Sequence, residues 1–73
     1  MLVKQEQKFG VPTNYFTIGA SESGYTLEFS VDGEKWTAIE KSTPANDVHI
    51  VSGCPKNLYW KCVGNTGDVL VQW

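Results

Sequence analysis

The stretch that decides the fold is residues 25–39, YTLEFSVDGEKWTAI. Its first seven residues alternate between apolar and polar side chains, which is the period of a β-strand with one buried face. An Asp32-Gly33 pair follows, and this dipeptide between two alternating segments favours a hairpin because the tight turn needs positive φ angles. The stretch therefore predicts two antiparallel strands, with an apolar face formed by Tyr25, Leu27, Phe29 and Val31.

The position of Trp36 follows from the length of the hairpin loop. A two-residue loop pairs Phe29 with Trp36, and a four-residue loop pairs Val31 with Trp36. Both registers put the indole on the apolar face, so we expect Trp36 in the core. Calcium binding at the turn is disfavoured because Asp32 and Glu34 supply only two of the six or more oxygen ligands that calcium takes.

Four further segments carry strand signals, and Gly, Pro, Asn, Asp and Ser clusters separate them. Helical periodicity is nearly absent. The sequence therefore predicts an all-β fold, a small antiparallel β-sandwich or Ig-like barrel of about six short strands. Besides residues 25–31 and 34–40, the expected strands are residues 14–18, 47–51, 58–63 and 68–73.

The chain has 73 residues, which favours one domain. We assign residues 12–73 to a single β-sandwich domain. Residues 1–11 fit less well, because a polar run separates Leu2 and Val3 from Phe9. They are expected to form an edge strand, a mobile tail or an N-terminal arm that docks on a neighbouring subunit.

Composition argues against several classes of function. The net charge is −2, and all six basic residues are lysines. An acidic chain without arginine is unlike nucleic-acid-binding proteins and unlike proteins that bind anionic membranes. No apolar run is long enough for a transmembrane helix, and no signal peptide is recognisable. If Met1 is the native start, we expect a protein that is made and kept in the cytosol, with secretion by another route or release inside a particle as the alternatives.

Catalytic and metal-binding residues are scarce. Cys54 and Cys62 are expected as free thiols, and a bridge between them is the alternative. His49 is the only histidine, so neither a metal site nor another cofactor is expected. If Val48 and Ile50 face the core, His49 faces solvent. A Cys–His pair has no local motif behind it, and we expect no enzymatic activity.

The pattern Ser30-x-Asp32-Gly33-x-x-Trp36 resembles the hairpin of discoidin-type domains. It is also similar to the Asp-box of sialidase-like propellers, which has another residue between the aspartate and the glycine. Discoidin domains are about twice as long as this chain and bind ligands at other loops. The resemblance therefore implies a β-sandwich module and carries over no functional residue.

As a whole, the chain resembles the small all-β auxiliary and decoration proteins of tailed-phage capsids. The shared features are its size, an unsignalled Met1, a possible N-terminal arm and an aromatic C-terminal strand. Its lysine-only composition is similar to that of AT-rich sources such as Bacteroides and its crAss-like phages. The resemblance implies a structural virion protein, made in the host cytoplasm, that binds the major capsid protein or other virion proteins in many copies.

The two C-terminal strand segments are apolar or aromatic on both faces, which is more than so small a domain can bury. Surplus apolar surface is typical of an interface. The expected interface residues are Leu2, Val3, Phe9, Tyr59, Trp60 and Trp73. The alternative is a carbohydrate- or surface-binding module of a larger adhesin, in which aromatic rings stack on glycans beside Asn57, Asn65 and Asp68.

Overall fold

The computed structural model describes residues 1–20, 24–39 and 47–73, and within these ranges the chain is all-β, with seven strands and no helix. The predicted small β-sandwich is confirmed. One antiparallel sheet has four strands in the order β1-β7-β2-β5, and the other has three in the order β4-β3-β6. The strands are β1 (Leu2–Val3), β2 (Tyr15–Ala20), β3 (Thr26–Ser30), β4 (Thr37–Ala38), β5 (Asp47–Ser52), β6 (Tyr59–Val63) and β7 (Val69–Gln72).

The core lies between the two sheets and is rich in aromatic rings. Phe16 on β2 meets Trp60 on β6 edge to face, with ring centroids 5.1 Å apart and an interplanar angle of 76°. Phe9 packs edge-on against the same Phe16 ring at 6.4 Å, and Phe29 lies 5.8 Å from Trp60. Strand alternation supplies the rest of the core, in which Ile18, Leu27, Cys62, Val69 and Val71 are almost completely buried.

The N-terminal segment belongs to the same sandwich. Leu2–Val3 is an edge strand beside β7, and the Val3 side chain is fully buried. The next residues run along the free edge of β6. The Glu6 N–H donates to the Cys62 carbonyl, while Phe9 and Trp60 exchange two backbone hydrogen bonds of 2.9 and 2.8 Å. Residues 1–11 therefore close one sheet edge and complete the core.

The hairpin forms in a different register from both predicted loops. Phe29 lies opposite Thr37 and Glu28 opposite Ala38, and extending this register by one residue beyond β4 places Trp36 opposite Ser30. This one-residue difference turns Trp36 to the outer face of the three-stranded sheet. The prediction that Trp36 lies in the core is wrong.

The cause of this register is the side chain of Asp32. Its Oδ1 accepts hydrogen bonds from the backbone N–H of Glu34 at 2.8 Å and of Lys35 at 2.9 Å, and from the Ser30 hydroxyl at 2.9 Å. The Ser30 Oγ also accepts the Gly33 N–H, and Gly33 has a φ of 80°. These bonds stabilise a wider turn than a two-residue loop.

The wide turn also changes the end of β3. The strand stops at Ser30, which is buried, and Val31 is 78% exposed. Val31 was predicted on the apolar face, and this is wrong because the chain has already entered the turn. Tyr25 and Leu27 do lie in the core as predicted, and the Tyr25 hydroxyl donates to the Ile18 carbonyl at 2.9 Å.

Strand β5 has the opposite orientation to the predicted one. Its register with β2 places Val51 beside Phe16 and His49 beside Ile18, so these two face inward. Val48 and Ile50 are exposed instead. The prediction of a solvent-facing His49 is wrong. Both faces of this strand carry apolar side chains, and the pairing with β2 decides which face is buried.

The hydrogen bonds at the turn make stability depend on pH. The Asp32 carboxylate accepts hydrogen bonds from the backbone N–H groups of Lys35 and Glu34 and from the Ser30 hydroxyl. These bonds lower the pKa of Asp32 from 3.8 to about 2. The charged carboxylate therefore stabilises the fold fully above pH 3.8, and this contribution is lost as the pH falls through 2.

Asp32→Ala should lower the midpoint of urea unfolding at neutral pH, and its difference from the wild type should shrink towards pH 2. Glu34→Ala is the matched control. If Asp32→Ala lowered the urea midpoint by the same amount at every pH, the stabilising role of the charged Asp32 carboxylate would be contradicted.

Candidate protein-docking surface

The outer face of the four-stranded sheet exposes large apolar side chains. Leu2, Leu70, Val48 and Ile50 are 61%, 42%, 63% and 59% exposed. The strand registers align three of them in one row across the sheet, with Leu2 opposite Leu70, Leu70 opposite Gly19, and Gly19 opposite Val48. We call Leu2, Leu70, Gly19 and Val48 the apolar row. Ile50 lies in the next row, opposite Thr17.

A groove of about 740 Å³ lies over the apolar row, and Gly19 is one of its lining residues. A Cβ atom at this position would lie 3.0 Å from the Asp47 carbonyl oxygen and 3.4 Å from Val48 Cγ2. The first of these contacts is with backbone, which moves less easily than a side chain. A side chain at position 19 would therefore crowd β5, and the glycine keeps the centre of the sheet open.

The charges around the groove all have one sign. Asp47 and Asp68 line it, and none of the described lining residues is a lysine. One oxygen of Asp47 accepts the Val48 N–H at 2.9 Å, which holds this carboxylate at the start of β5. The surface therefore combines an apolar floor with two acidic groups at its rim.

The outer face of the three-stranded sheet has a different chemistry. Tyr59 on β6 lies opposite Ser30, and Trp36, one residue before β4, lies on the other side of β3. The ammonium of Lys61 lies 4.4 Å from the centroid of the Trp36 ring and 3.8 Å from a carboxylate oxygen of Glu28. This face therefore presents two aromatic rings beside an ion pair.

The structure divides the six predicted interface residues between the core and three parts of the surface. Three of them, Val3, Phe9 and Trp60, are buried and form the core. Leu2 lies on the apolar row, Tyr59 on the opposite sheet, and the exposed Trp73 just beyond β7. These six side chains do not form one surface. The predicted interface omitted Val48 and Ile50, because the sequence analysis considered them as candidates for the core.

The predicted sugar platform is not assembled as expected. Trp60 is buried, so no sugar can stack on its ring. Asn65 is also buried, and its Nδ2 donates to the Gly67 carbonyl at 2.7 Å within the turn before β7. Asn57 is exposed, and Asp68 lines the groove on the other sheet. Trp36 and Tyr59 are the two rings that share an outer sheet face.

The two thiols differ in burial and in reactivity. Cys54 and Cys62 are both free, and Cys54 is half-buried. Burial raises the pKa of the Cys62 thiol to about 12, which makes it a poor nucleophile. No group of three or more His, Cys, Asp or Glu side chains that could hold a metal ion occurs in residues 1–20, 24–39 and 47–73.

A membrane-crossing helix is also absent from the described part of the chain.

Comparison with family models finds no match, and neither the curated proteins nor the solved structures contain a significantly similar chain. The case for a function therefore rests on the surfaces of this molecule.

The contrast between the two thiols can be measured. At about pH 8, an aromatic disulfide reagent should react with Cys54 in the folded protein and leave Cys62 untouched until the chain is unfolded in urea. Cys54→Ser should remove the reaction of the folded protein, whereas Cys62→Ala should preserve it. Rapid labelling of Cys62 under native conditions would contradict its burial in the core.

Proposed function

We propose that this chain is a structural, protein-binding module whose apolar row docks on the surface of a larger assembly. Its concrete form is a capsid auxiliary or decoration protein that binds the major capsid protein. The observation that supports docking is the open groove over Leu2, Leu70, Gly19 and Val48. Small soluble domains rarely leave a contiguous row of large apolar side chains exposed unless something binds there.

The chemistry of the groove indicates which kind of partner surface would fit it. An apolar floor favours a partner surface with projecting aliphatic or aromatic side chains. Asp47 and Asp68 at the rim favour lysine or arginine beside those side chains, because charge complementarity directs the approach and excludes acidic surfaces. The partner expected here is therefore an apolar ridge that is flanked by basic groups.

The size of the surface favours a partner that presents many equivalent sites. Fully burying an aliphatic side chain gains about 1.5–3 kcal/mol, and Leu2, Leu70, Val48 and Ile50 are already about half-buried. Their combined gain is then on the order of 5 kcal/mol, whereas a micromolar complex needs about 8 kcal/mol. A single contact of this kind is weak. A lattice with many sites compensates for that weakness when the bound copies are linked.

Leu70→Lys tests the docking surface, since Leu70 lies at the centre of the apolar row and points away from the core. In virions of the phage that encodes the chain, quantitative mass spectrometry should find the wild type at high copy. Incorporation of Leu70→Lys should fall at least about tenfold, because burying an ammonium in an apolar contact is costly and it would repel the basic groups expected on the partner. Val31→Lys adds the same charge at an exposed turn position and should be incorporated normally. Absence of the wild type from virions, or normal incorporation of Leu70→Lys, would refute the proposal.

The second candidate function is carbohydrate binding, and the pair of rings on the three-stranded sheet favours it. Trp36 and Tyr59 share one outer face, with Glu28 and Lys61 available as hydrogen-bonding groups. On a glycan array, the wild type should then give a signal that Trp36→Ala and Tyr59→Ala each lower at least about tenfold, since aromatic anchors supply most of the energy at such sites. Trp73→Ala removes an exposed ring elsewhere and should leave the signal unchanged. A blank array would eliminate this candidate.

A further inference from the structure

Strand β5 is a long sheet edge that the described part of the chain leaves open. It has six residues, Asp47–Ser52, and among the described strands it pairs only with β2. The edge strands β1 and β4 have two residues each, and the free edge of β6 bonds to Glu6 and Phe9. Natural edge strands are usually short, covered, or interrupted by lysine or proline. Strand β5 contains neither residue.

The hydrogen bonds identify which backbone groups of β5 point outward. The Gly53 N–H donates to the Asn14 carbonyl, in the same register as the β2–β5 ladder. Because hydrogen-bonding direction alternates along an antiparallel strand, the odd-numbered residues of β5 bond to β2. The N–H and C=O groups of Val48, Ile50 and Ser52 therefore point away from β2, towards the open edge.

One of these three outward N–H groups already has an acceptor. The carboxylate of Asp47 accepts the Val48 N–H at 2.9 Å. The outward N–H groups of Ile50 and Ser52 have no acceptor among the described residues. The edge therefore offers two free donors, together with the carbonyl oxygens of Val48, Ile50 and Ser52.

We propose that β5 pairs antiparallel with β5 of a second copy of this chain, about a two-fold axis at Ile50. In this register, Ile50 lies opposite Ile50 of the second copy, and Val48 lies opposite Ser52. The Ile50 N–H of each chain donates to the Ile50 carbonyl of the other, and the Ser52 N–H donates to the Val48 carbonyl. Both free donors are satisfied, and the Val48 N–H, which faces the Ser52 carbonyl at the end of the ladder, can stay bonded to Asp47.

The neighbouring register is less suitable. It would be centred on His49 and would pair Val48 with Ile50 of the second copy. It would also place the two His49 side chains opposite each other on the inner face. The register centred on Ile50 instead places His49 opposite Val51, and it keeps the two Asp47 carboxylates at opposite ends of the interface.

Side-chain chemistry also favours a second copy as the occupant. Ile50 is 59% exposed on the outer face, and the two-fold axis would bring two of these apolar side chains together. The pairing would join two four-stranded sheets into one continuous sheet. The interface is small, so we expect reversible, concentration-dependent dimerisation.

Disulfide cross-linking tests the register. In a Cys54→Ser background, the Cα atoms of Ile50→Cys would lie about 5.5 Å apart in the hydrogen-bonded pair, within the range for a disulfide. Val48→Cys is the matched control on the same face and strand. Its Cα atoms would be about 14 Å apart across the same axis, too far for a bond. Under mild oxidation, Ile50→Cys should form covalent dimer at least about tenfold faster, and equal rates would overturn the register.

Sedimentation equilibrium tests the association itself, without engineered thiols. The Cys54→Ser protein should dimerise reversibly as its concentration rises. Ile50→Lys should weaken the association at least about tenfold, because it places two ammonium groups face to face on the axis. Val31→Lys, with the same added charge away from β5, should associate like its parent. A protein that stays monomeric up to about 1 mM would refute the proposal and leave the edge to a strand of another protein. The Leu70→Lys test of the groove is independent of this result.

Discussion

The edge-to-face contact between Phe16 and Trp60 joins the two sheets, and the rest of the structure depends on it. A chain of 73 residues buries only about 60% of the surface that it exposes when unfolded, so a few large rings must supply most of its core. Each ring buries about 150–250 Å², and the contact between them adds about 0.5–1.5 kcal/mol. Phe9 and Phe29 pack against the same pair from the N-terminal segment and from β3. Trp60 therefore has a structural role.

This aromatic centre fixes which side chains remain outside. Because Phe16 is buried, the alternate residues of β2 that share its face point inward. The pairing of β2 with β7 and β5 then decides which of their side chains point inward. Val69 and Val71 then face inward and Leu70 faces outward, while Val51 faces inward and Ile50 outward. The apolar outer face follows from strands that are apolar in both phases but have only one buried side. The candidate docking surface and the core thus arise from the same pairing.

The sequence was sufficient to predict where the strands lie. It was not sufficient to predict which side chains face the core in β5 and at Trp36. Clean alternation located β3, and the turn signals located β2, β6 and β7. The phase of β5 could not be read from Val-His-Ile-Val, because either face of that segment can enter a core and only its partner strand decides. Trp36 was misplaced because the predicted loops considered backbone turn types alone, whereas the Asp32 carboxylate binds two further N–H groups and shifts the register by one residue.

The N-terminal segment was the other feature that side-chain patterns could not place. Its polar run follows β6 through backbone hydrogen bonds, which leave no trace in hydropathy. By closing that edge, it leaves β5 as the long open edge within the described residues. The open edge and the apolar row share Val48, so pairing of two copies at β5 would place two grooves on one face of a continuous sheet. Two weak contacts held at a fixed spacing raise the effective concentration of the second, so the proposed pairing would strengthen the proposed docking on a repetitive assembly.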